Sequence, residues 1–431
     1  MINAFPGYEL KRLEDGKLHN MFRGDDVGFG GWVYAEPGIA SNVALLDVGN
    51  MHGASIIALN KFGDYTQRYI EIRNARMAIK HGLKTGDFSE ASKMFNGTLA
   101  KYLTSPEDAD ALQNAFKLIL NSTYGIAAAT FDNPLRDSRD INNIIALRGA
   151  LFMRTLQDEI KNRGFRVLHL KTDSVKVPDA TPELIDFIID FGRQYGYEFE
   201  HECTYERICL VNDSVYIARY DNQGIRNKGG KHAGEWTATG KQFQVPYVFK
   251  SLFSKEPIEF EDMCEVMSAS TALYLKGEDG RPEFIGKVGQ FCPVKPGYGG
   301  KELLRISKDK DDEGNPKFSA ATGTKGYLWL ESEVVRQLGM EDAIDKSYYE
   351  NQVAKAIKTI DKFGDFEMFV DLDTPISNIT EPTDEECKNV TPCKSSEFKS
   401  CWECPYFSQA DSPFWEPVCA KDFDVSDTVP F

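Results

Sequence analysis

Apolar and polar positions along the first half of the chain fall into two periods, one of strands and one of helices. Val43 to Val48 (VALLDV) is an apolar run interrupted only by Asp47, the pattern of a short buried strand that ends on an acid. From Asp64 to His81 the segment DYTQRYIEIRNARMAIKH repeats at helical spacing, and Gly82 stands where such a helix stops. A short amphipathic piece follows, FSEASKMFNGTLAKYL. Ser105-Pro106 then supplies a cap and a first-turn proline for a helix through DADALQNAFKLILNSTYG. Two facing helices between flanking segments predict a helical hairpin inserted into a sheet domain. Asp140 to Arg163 is a third amphipathic helix, closed by Gly164. Two β-rich runs flank Thr172-Asp173-Ser174 in FRVLHLKTDSVKVP, which predicts a hairpin. Thr181-Pro182-Glu183 opens a helix to about Tyr195, and ERICLVNDSVYIARY returns to strand. Residues 1–40 read as Gly-rich and irregular, and beyond 235 the pattern weakens. The predicted class is α/β of the α+β kind.

Composition narrows the classes. With 431 residues, 42% hydrophobic and 27% charged, the chain is globular and long enough for two to three domains. No run approaches the ~18 apolar residues of a membrane span, and the N-terminus lacks the apolar core of a signal peptide. A soluble, cytoplasmic protein with no membrane partner is the expectation. Sixty-six acidic against 50 basic residues give a net charge of −16, which argues against coating nucleic acid by charge alone. It leaves room for an enzyme with a local basic groove. Of nine cysteines, Cys203, Cys209, Cys264 and Cys292 are scattered, while Cys387, Cys393, Cys401, Cys404 and Cys419 crowd the end. An odd count without a secretion signal points to a metal site rather than disulfides.

Asp47 and Asp173 each end or turn a β-segment. Carboxylates on neighbouring strands can hold two Mg²⁺ ions that clamp the attacking and leaving oxygens of a phosphoryl transfer. Singly, such an Asp is more often a turn residue or cap. Arg76 and Lys80 share one helix face; Gln113, Lys117 and Asn121 share another, with Tyr124 close to it. Such faces offer donors to a triphosphate and a flat ring to a base, although a lone charged face is commonly just solvated.

At these residues the sequence resembles a family. Lys117-Leu-Ile-Leu-Asn121-Ser122-Thr-Tyr124-Gly125 matches the K-x-x-x-N-S-x-Y-G motif of family B DNA polymerases. Asp47-Val-Gly-Asn-Met-His-Gly-Ala-Ser-Ile-Ile is similar to that family's D-x-x-S-L-Y-P-S, and Lys171-Thr172-Asp173-Ser174 to its D-T-D-S hairpin. Phe29-Gly30-Gly31 resembles the Y-G-G turn that joins exonuclease and polymerase parts. Order and spacing agree from about residue 25 to 220, with a bacteriophage flavour, so the host cytoplasm is the implied location if the chain is phage-encoded.

The resemblance implies a right-hand polymerase. Residues 1–63 would hold the junction and first palm segment, 64–132 a two-helix fingers, 133–234 the antiparallel-sheet palm, 235–380 the thumb and 381–431 a small Cys-rich extension. It implies that Asp47 and Asp173, with the Val48 carbonyl, bind two Mg²⁺ ions. Arg76, Lys80 and Lys117 would bind the deoxynucleoside triphosphate, with Asn121, Tyr124 and His52 at the nascent base pair and sugar. Tyr216 and Lys241 would touch primer–template DNA, and Lys287, Lys301 and Lys325 are further grip candidates. The implied reaction is primer extension, templated by DNA. A catalytically degenerate subunit that binds DNA or a replication partner is the alternative.

Several positions depart from the pattern. Lys171 replaces the first Asp of D-T-D-S. His52 stands where the family has the Tyr that excludes ribose, and Gly53 and Ala54 replace Pro and Ser. The K-x-Y motif appears as Ser214-Val-Tyr216, without its cation. Because the first palm motif arrives at position 47, an exonuclease half is expected on a separate polypeptide. In the tail, Cys393, Cys401, Cys404 and Cys419, with Cys387 in reserve, suit a zinc ion, while Cys401-Trp-Glu-Cys404-Pro-Tyr also resembles the C-x-x-C-P-Y of iron–sulfur nucleases, so a [4Fe–4S] cluster is the other reading. The acidic end, finishing in Pro430-Phe431, resembles the tip of bacterial single-stranded-DNA-binding proteins and implies a docking site for a replication partner.

Overall fold

The structure is a computed structural model. It describes residues 1–136, 143–225, 232–277, 279–310 and 313–374, and the backbone of 407–408 and 418–419. The first 40 residues are more ordered than their composition suggests. β1 (Glu9–Arg12), β2 (Leu18–Phe22) and β3 (Asp25–Asp26) form a small antiparallel sheet. Every residue of β1 is exposed, so no alternation marks it in the sequence.

The chain then builds β4 (Val33–Ala35), β5 (Gly38–Val48) and α1 (Met51–Ala58). The long helices α2 (Thr66–Thr85) and α4 (Pro106–Ala128) follow, with α3 (Ser89–Lys93) between them. The expected cap is present: Ser105 accepts from the Asp108 N–H, with Pro106 in the first turn. After α4 come α5 (Ile144–Asn162), β6 (His169–Lys171), β7 (Ser174–Pro178), α6 (Pro182–Gln194), β8 (Phe199–Asn212), β9 (Val215–Ile225) and β10 (Trp236–Thr239). These strands form one seven-stranded antiparallel sheet in the order β10-β9-β8-β5-β7-β6-β4. Its last strand lies just past residue 234.

Strand alternation divides the two faces of this sheet. Ala44, Leu46, Val48, Val175 and Val177 point to one side and are covered by α5 and α6. From α5 they meet Leu151, Phe152, Leu156 and Ile160, all fully buried. Each such side chain contributes about 1.5–3 kcal/mol when removed from water. The opposite side carries Val43, Leu45, Cys203, Tyr205 and Tyr216, with Asp47 continuing the same phase as Val43 and Leu45. Separately, α2 and α4 pack on one another through Ala75, Ala78, Ile79, Ala109, Leu112 and Phe116, with small residues at the contact.

Beyond Thr239 lie α7 (Lys241–Gln244) and α8 (Pro246–Phe249). A second antiparallel sheet has the order β14-β13-β11-β12-β15, from β11 (Glu265–Lys276), β12 (Pro282–Val294), β13 (Leu303–Lys310), β14 (Pro316–Ala320) and β15 (Leu328–Glu331). It is backed by α9 (Ser332–Gln337), α10 (Ser347–Ile360) and α11 (Phe366–Val370) around Phe291, Trp329, Tyr349 and Phe369. Buried Arg207 on β8 donates to the carbonyls of Phe369 and Asp371, tying the two sheets' regions together. In the tail, β16 (Phe407–Ser408) pairs with β17 (Val418–Cys419). The metal site expected at Cys393, Cys401 and Cys404, and the Pro430-Phe431 tip, lie outside the described residues.

The fold is thus a mixed α/β architecture built on antiparallel sheets. No helix among the described residues is long and apolar enough to cross a membrane.

Candidate active site

Asp47 stands near the end of β5, between two partners: Ser174 of β7 on one side and Glu200 of β8 on the other. Asp173 occupies the two-residue turn between β6 and β7, and its carbonyl accepts from the Val48 N–H at 2.8 Å. That hydrogen bond continues the β5–β7 ladder, which brings the two aspartates to the same spot. Thr172, before Asp173, has φ 56°, a left-handed conformation that a β-branched residue adopts only under constraint. The constraint is Trp32, whose carbonyl accepts from the Thr172 N–H at 3.0 Å, and Gly31, which leaves room for the Thr172 side chain. A Cβ on Gly31 would sit 2.7 Å from Thr172 Oγ1 and 2.9 Å from its Cα. Gly31→Ala is therefore expected to cost about 1–3 kcal/mol, read as a lower urea midpoint, and Thr172→Gly in the same chain should recover part of it.

Further acids join the pair. The register of β8 against β5 slips between Leu45 and Leu46, which face Cys203 and His201, so Glu202 is an extra residue on a β-bulge. Burial, then the charges of Asp173 and Glu202, push Asp47 up to about 7, with Glu200 adding to the rise and Lys176 opposing it. Burial likewise raises Asp173, and Glu202 adds to it. Carboxylates that repel one another in a partly dry site favour a divalent cation.

Beneath them lies Lys176, only 4% exposed. Its Nζ donates to His169 Nδ1 at 3.1 Å and rests 4.9 Å from the centre of the Tyr216 ring. Burial, then the Lys176 charge, hold His169 down to about 4, so it is neutral, and its Nε2 donates to the Asp213 carbonyl at 3.1 Å. Burial also lowers Lys176 to about 8. Sequence reasoning missed Lys176, Glu200 and Glu202. Lys176 alternates with the core-facing Val175 and Val177, so in sequence it reads as an ordinary outward lysine, and the bulge that aims Glu202 leaves no trace either.

The cations of the helical pair converge as well. Burial and then Arg76 hold Lys80 below its usual range, Lys84 and Lys117 add to this, and Glu200 opposes it. Arg76, Lys80 and Lys117 therefore share one electrostatic neighbourhood, and Lys80 also feels the acidic cluster across from it. Arg76 is half-buried, its Nε without a hydrogen-bond partner. His52, in the first turn of α1, stacks on Tyr124 of α4, with ring centres 3.9 Å apart and planes 10° off parallel. Burial lowers the His52 imidazole, which keeps it neutral, and its buried Nδ1 has no partner. Asn143 donates to the Tyr124 hydroxyl at 3.2 Å. Asn121 and Lys117 are exposed on α4.

Other expected residues sit apart. Tyr216 is half-buried against Lys176 and Tyr205. Lys241 opens α7, where its charge meets Glu265 of the second sheet. Lys301 is ion-paired to Glu283 at 2.7 Å.

Among the described residues no three His, Cys, Asp or Glu side chains are grouped so as to hold a metal ion by themselves. Mg²⁺ commonly needs only one or two carboxylates when substrate phosphates complete its octahedron. Asp47, Asp173 and the Val48 carbonyl are hard oxygen donors of that kind.

No protein-family model and no curated protein matches the chain. A solved structure to which it is similar is the family B DNA polymerase from the hyperthermophilic archaeon Pyrobaculum calidifontis, at 14% identity and a TM-score of 0.43, over 80% of this chain and 48% of that one. The chain thus spans about half the length of that polymerase.

Proposed function

We propose that the chain is the polymerase half of a family B DNA polymerase, extending a primer 3′-hydroxyl with deoxynucleotides. One observation supports the reading: Glu200, whose charge adds to the repulsion on Asp47 beside Asp173, also acts on Lys80, the lysine grouped with Arg76 and Lys117. The motifs around Asp47, Lys117 and Asp173 supply the family. In this reading residues 1–63 hold the junction and first palm segment, 64–132 the fingers, 133–234 the palm and 235–380 the thumb.

Asp47 and Asp173, with the Val48 carbonyl, would hold two Mg²⁺ ions. When bound, the ions neutralise charge on the α-phosphate and on the departing pyrophosphate. Arg76, Lys80 and Lys117 bind the triphosphate and orient it. The His52–Tyr124 stack forms a flat wall for the sugar and the new base pair, with Asn121 beside it. Lys176 offsets part of the carboxylate charge from below and holds the floor of the site through His169. The thiolate-bound zinc or [4Fe–4S] group of the tail belongs to the same proposal.

Metal binding tests it. With Mn²⁺ as a paramagnetic probe and a non-hydrolysable deoxynucleotide, two ions per chain are expected, and Asp47→Asn should lose both at micromolar metal. Unchanged stoichiometry in the variant would sink the assignment. The degenerate-subunit alternative expects DNA binding with neither nucleotide nor paired metal.

A further inference from the structure

Two of the departures from the motifs, Lys171 and Ser214, meet in space. Lys171 Nζ donates to Ser214 Oγ at 3.0 Å. Ser214 sits in the tight turn between β8 and β9, and that turn is pinned from several sides. His169 Nε2 donates to the Asp213 carbonyl, Thr239 Oγ1 donates to the Ser214 carbonyl at 3.1 Å, and the Ser214 N–H donates to Asn212 Oδ1 at 2.9 Å. Lys171 is the cross-strand partner of Ser174 and lies two positions from Asp173. Its ammonium therefore stands on a fixed post by the β8–β9 turn, where its charge acts on His169 and Lys176.

An ammonium has three donors, and Ser214 takes one. Among the described residues Lys171 has no carboxylate ion-pair partner. The acids Asp47, Asp173, Glu200 and Glu202, which act on one another, repel a polyanion on this side of the sheet. Of the two lysines on this side, Lys176 is buried and already engaged with His169. Lys171 alone of the pair can offer free donors outward.

We infer that Lys171 grips a backbone phosphate of the primer strand beside its 3′ end, with Ser214 as the post that aims it. This rests on the polymerase reading above. The ammonium absent from position 214 is delivered there from across the β6–β7 turn. Lys171 is then a binding and positioning residue whose Nζ is drawn by Ser214 toward the β8–β9 turn.

The test is binding of a fluorescent primer–template to the whole chain across a salt series, beside the KM for deoxynucleotide. Lys171→Gln keeps a donor for Ser214 but loses the charge. It should weaken DNA binding about tenfold and flatten the dependence of log affinity on log salt by about one. The nucleotide KM should hold, and Lys171→Arg should keep the wild-type slope. A Lys171→Gln chain with wild-type affinity and slope would overturn the inference. So would an equal loss in Lys171→Arg, which would leave Lys171 a mere brace for the turn. If the wild type itself bound no primer–template, the polymerase reading would fall first.

Discussion

Replacing Asp47 with Asn is expected to raise the melting temperature of the metal-free protein at pH 8 while removing nucleotide incorporation. The sign follows from the environment of Asp47. Its carboxyl is raised to about 7 in the folded chain, chiefly by burial and by Asp173, against about 4 in an unfolded one. Below pH about 4 the group is protonated in both states and costs nothing. Between about 4 and 7 the unfolded state ionises first, so stability falls as pH rises. Above 7 the penalty is complete. Discounted for solvent access, it is about 1–2 kcal/mol, or a few degrees in a chain of this size. Asn removes the charge and keeps the shape. Mg²⁺ should reverse the order, since it binds and stabilises the folded wild type by mass action and has less to bind in the variant. Incorporation should fall by at least about 10³-fold, because an ion held by Asp47 would neutralise charge in the transition state. Scanning calorimetry at pH 5.5 and 8, with and without Mg²⁺, checks the stability half. A variant less stable than the wild type at pH 8 without metal would contradict it.

Lys80→Ala should raise the KM for deoxynucleotide about 30- to 100-fold and leave primer–template affinity nearly unchanged. A charge-assisted hydrogen bond to phosphate is worth about 2–3 kcal/mol when one partner is truncated. Lys80 is the better choice than Lys117, because it is half-buried among Arg76, Lys84 and Glu200 and so is less screened by solvent. Its removal also relieves repulsion within the cationic group, so the melting temperature should hold or rise. Steady-state kinetics with varied nucleotide reads the first effect. A fall in kcat with unchanged KM would mean that Lys80 acts elsewhere.

What the sequence made legible follows period and burial. α4 and α5 carry apolar faces at helical spacing, and α5 stops before Gly164 as expected, but α4 runs past Gly125 to Ala128 and α2 past Gly82 to Thr85, where Gly86 caps it; the β6–β7 hairpin has apolar runs about a polar turn. The exposed strand β1 has no apolar phase, and in β12 the segment PEFIGKVGQ alternates with Gly and Lys on a half-exposed sheet. Neither announces itself. The site divides in the same way. Residues within one helix, such as Lys117 and Asn121, could be aligned by counting. The meeting of Asp47 with Asp173 depends on the pairing of β5 with β7, strands far apart in the chain. Glu202 depends on a bulge, and Lys171 on a turn more than 40 positions away. None of these has a local pattern.

Single-nucleotide extension of a labelled primer–template with Mg²⁺ tests the central claim most directly, with the wild type beside Asp173→Ala. The account predicts addition of the templated deoxynucleotide by the wild type, and a loss of at least about 10³-fold in the variant. A wild type that adds nothing, or a variant that extends as well as the wild type, would contradict it.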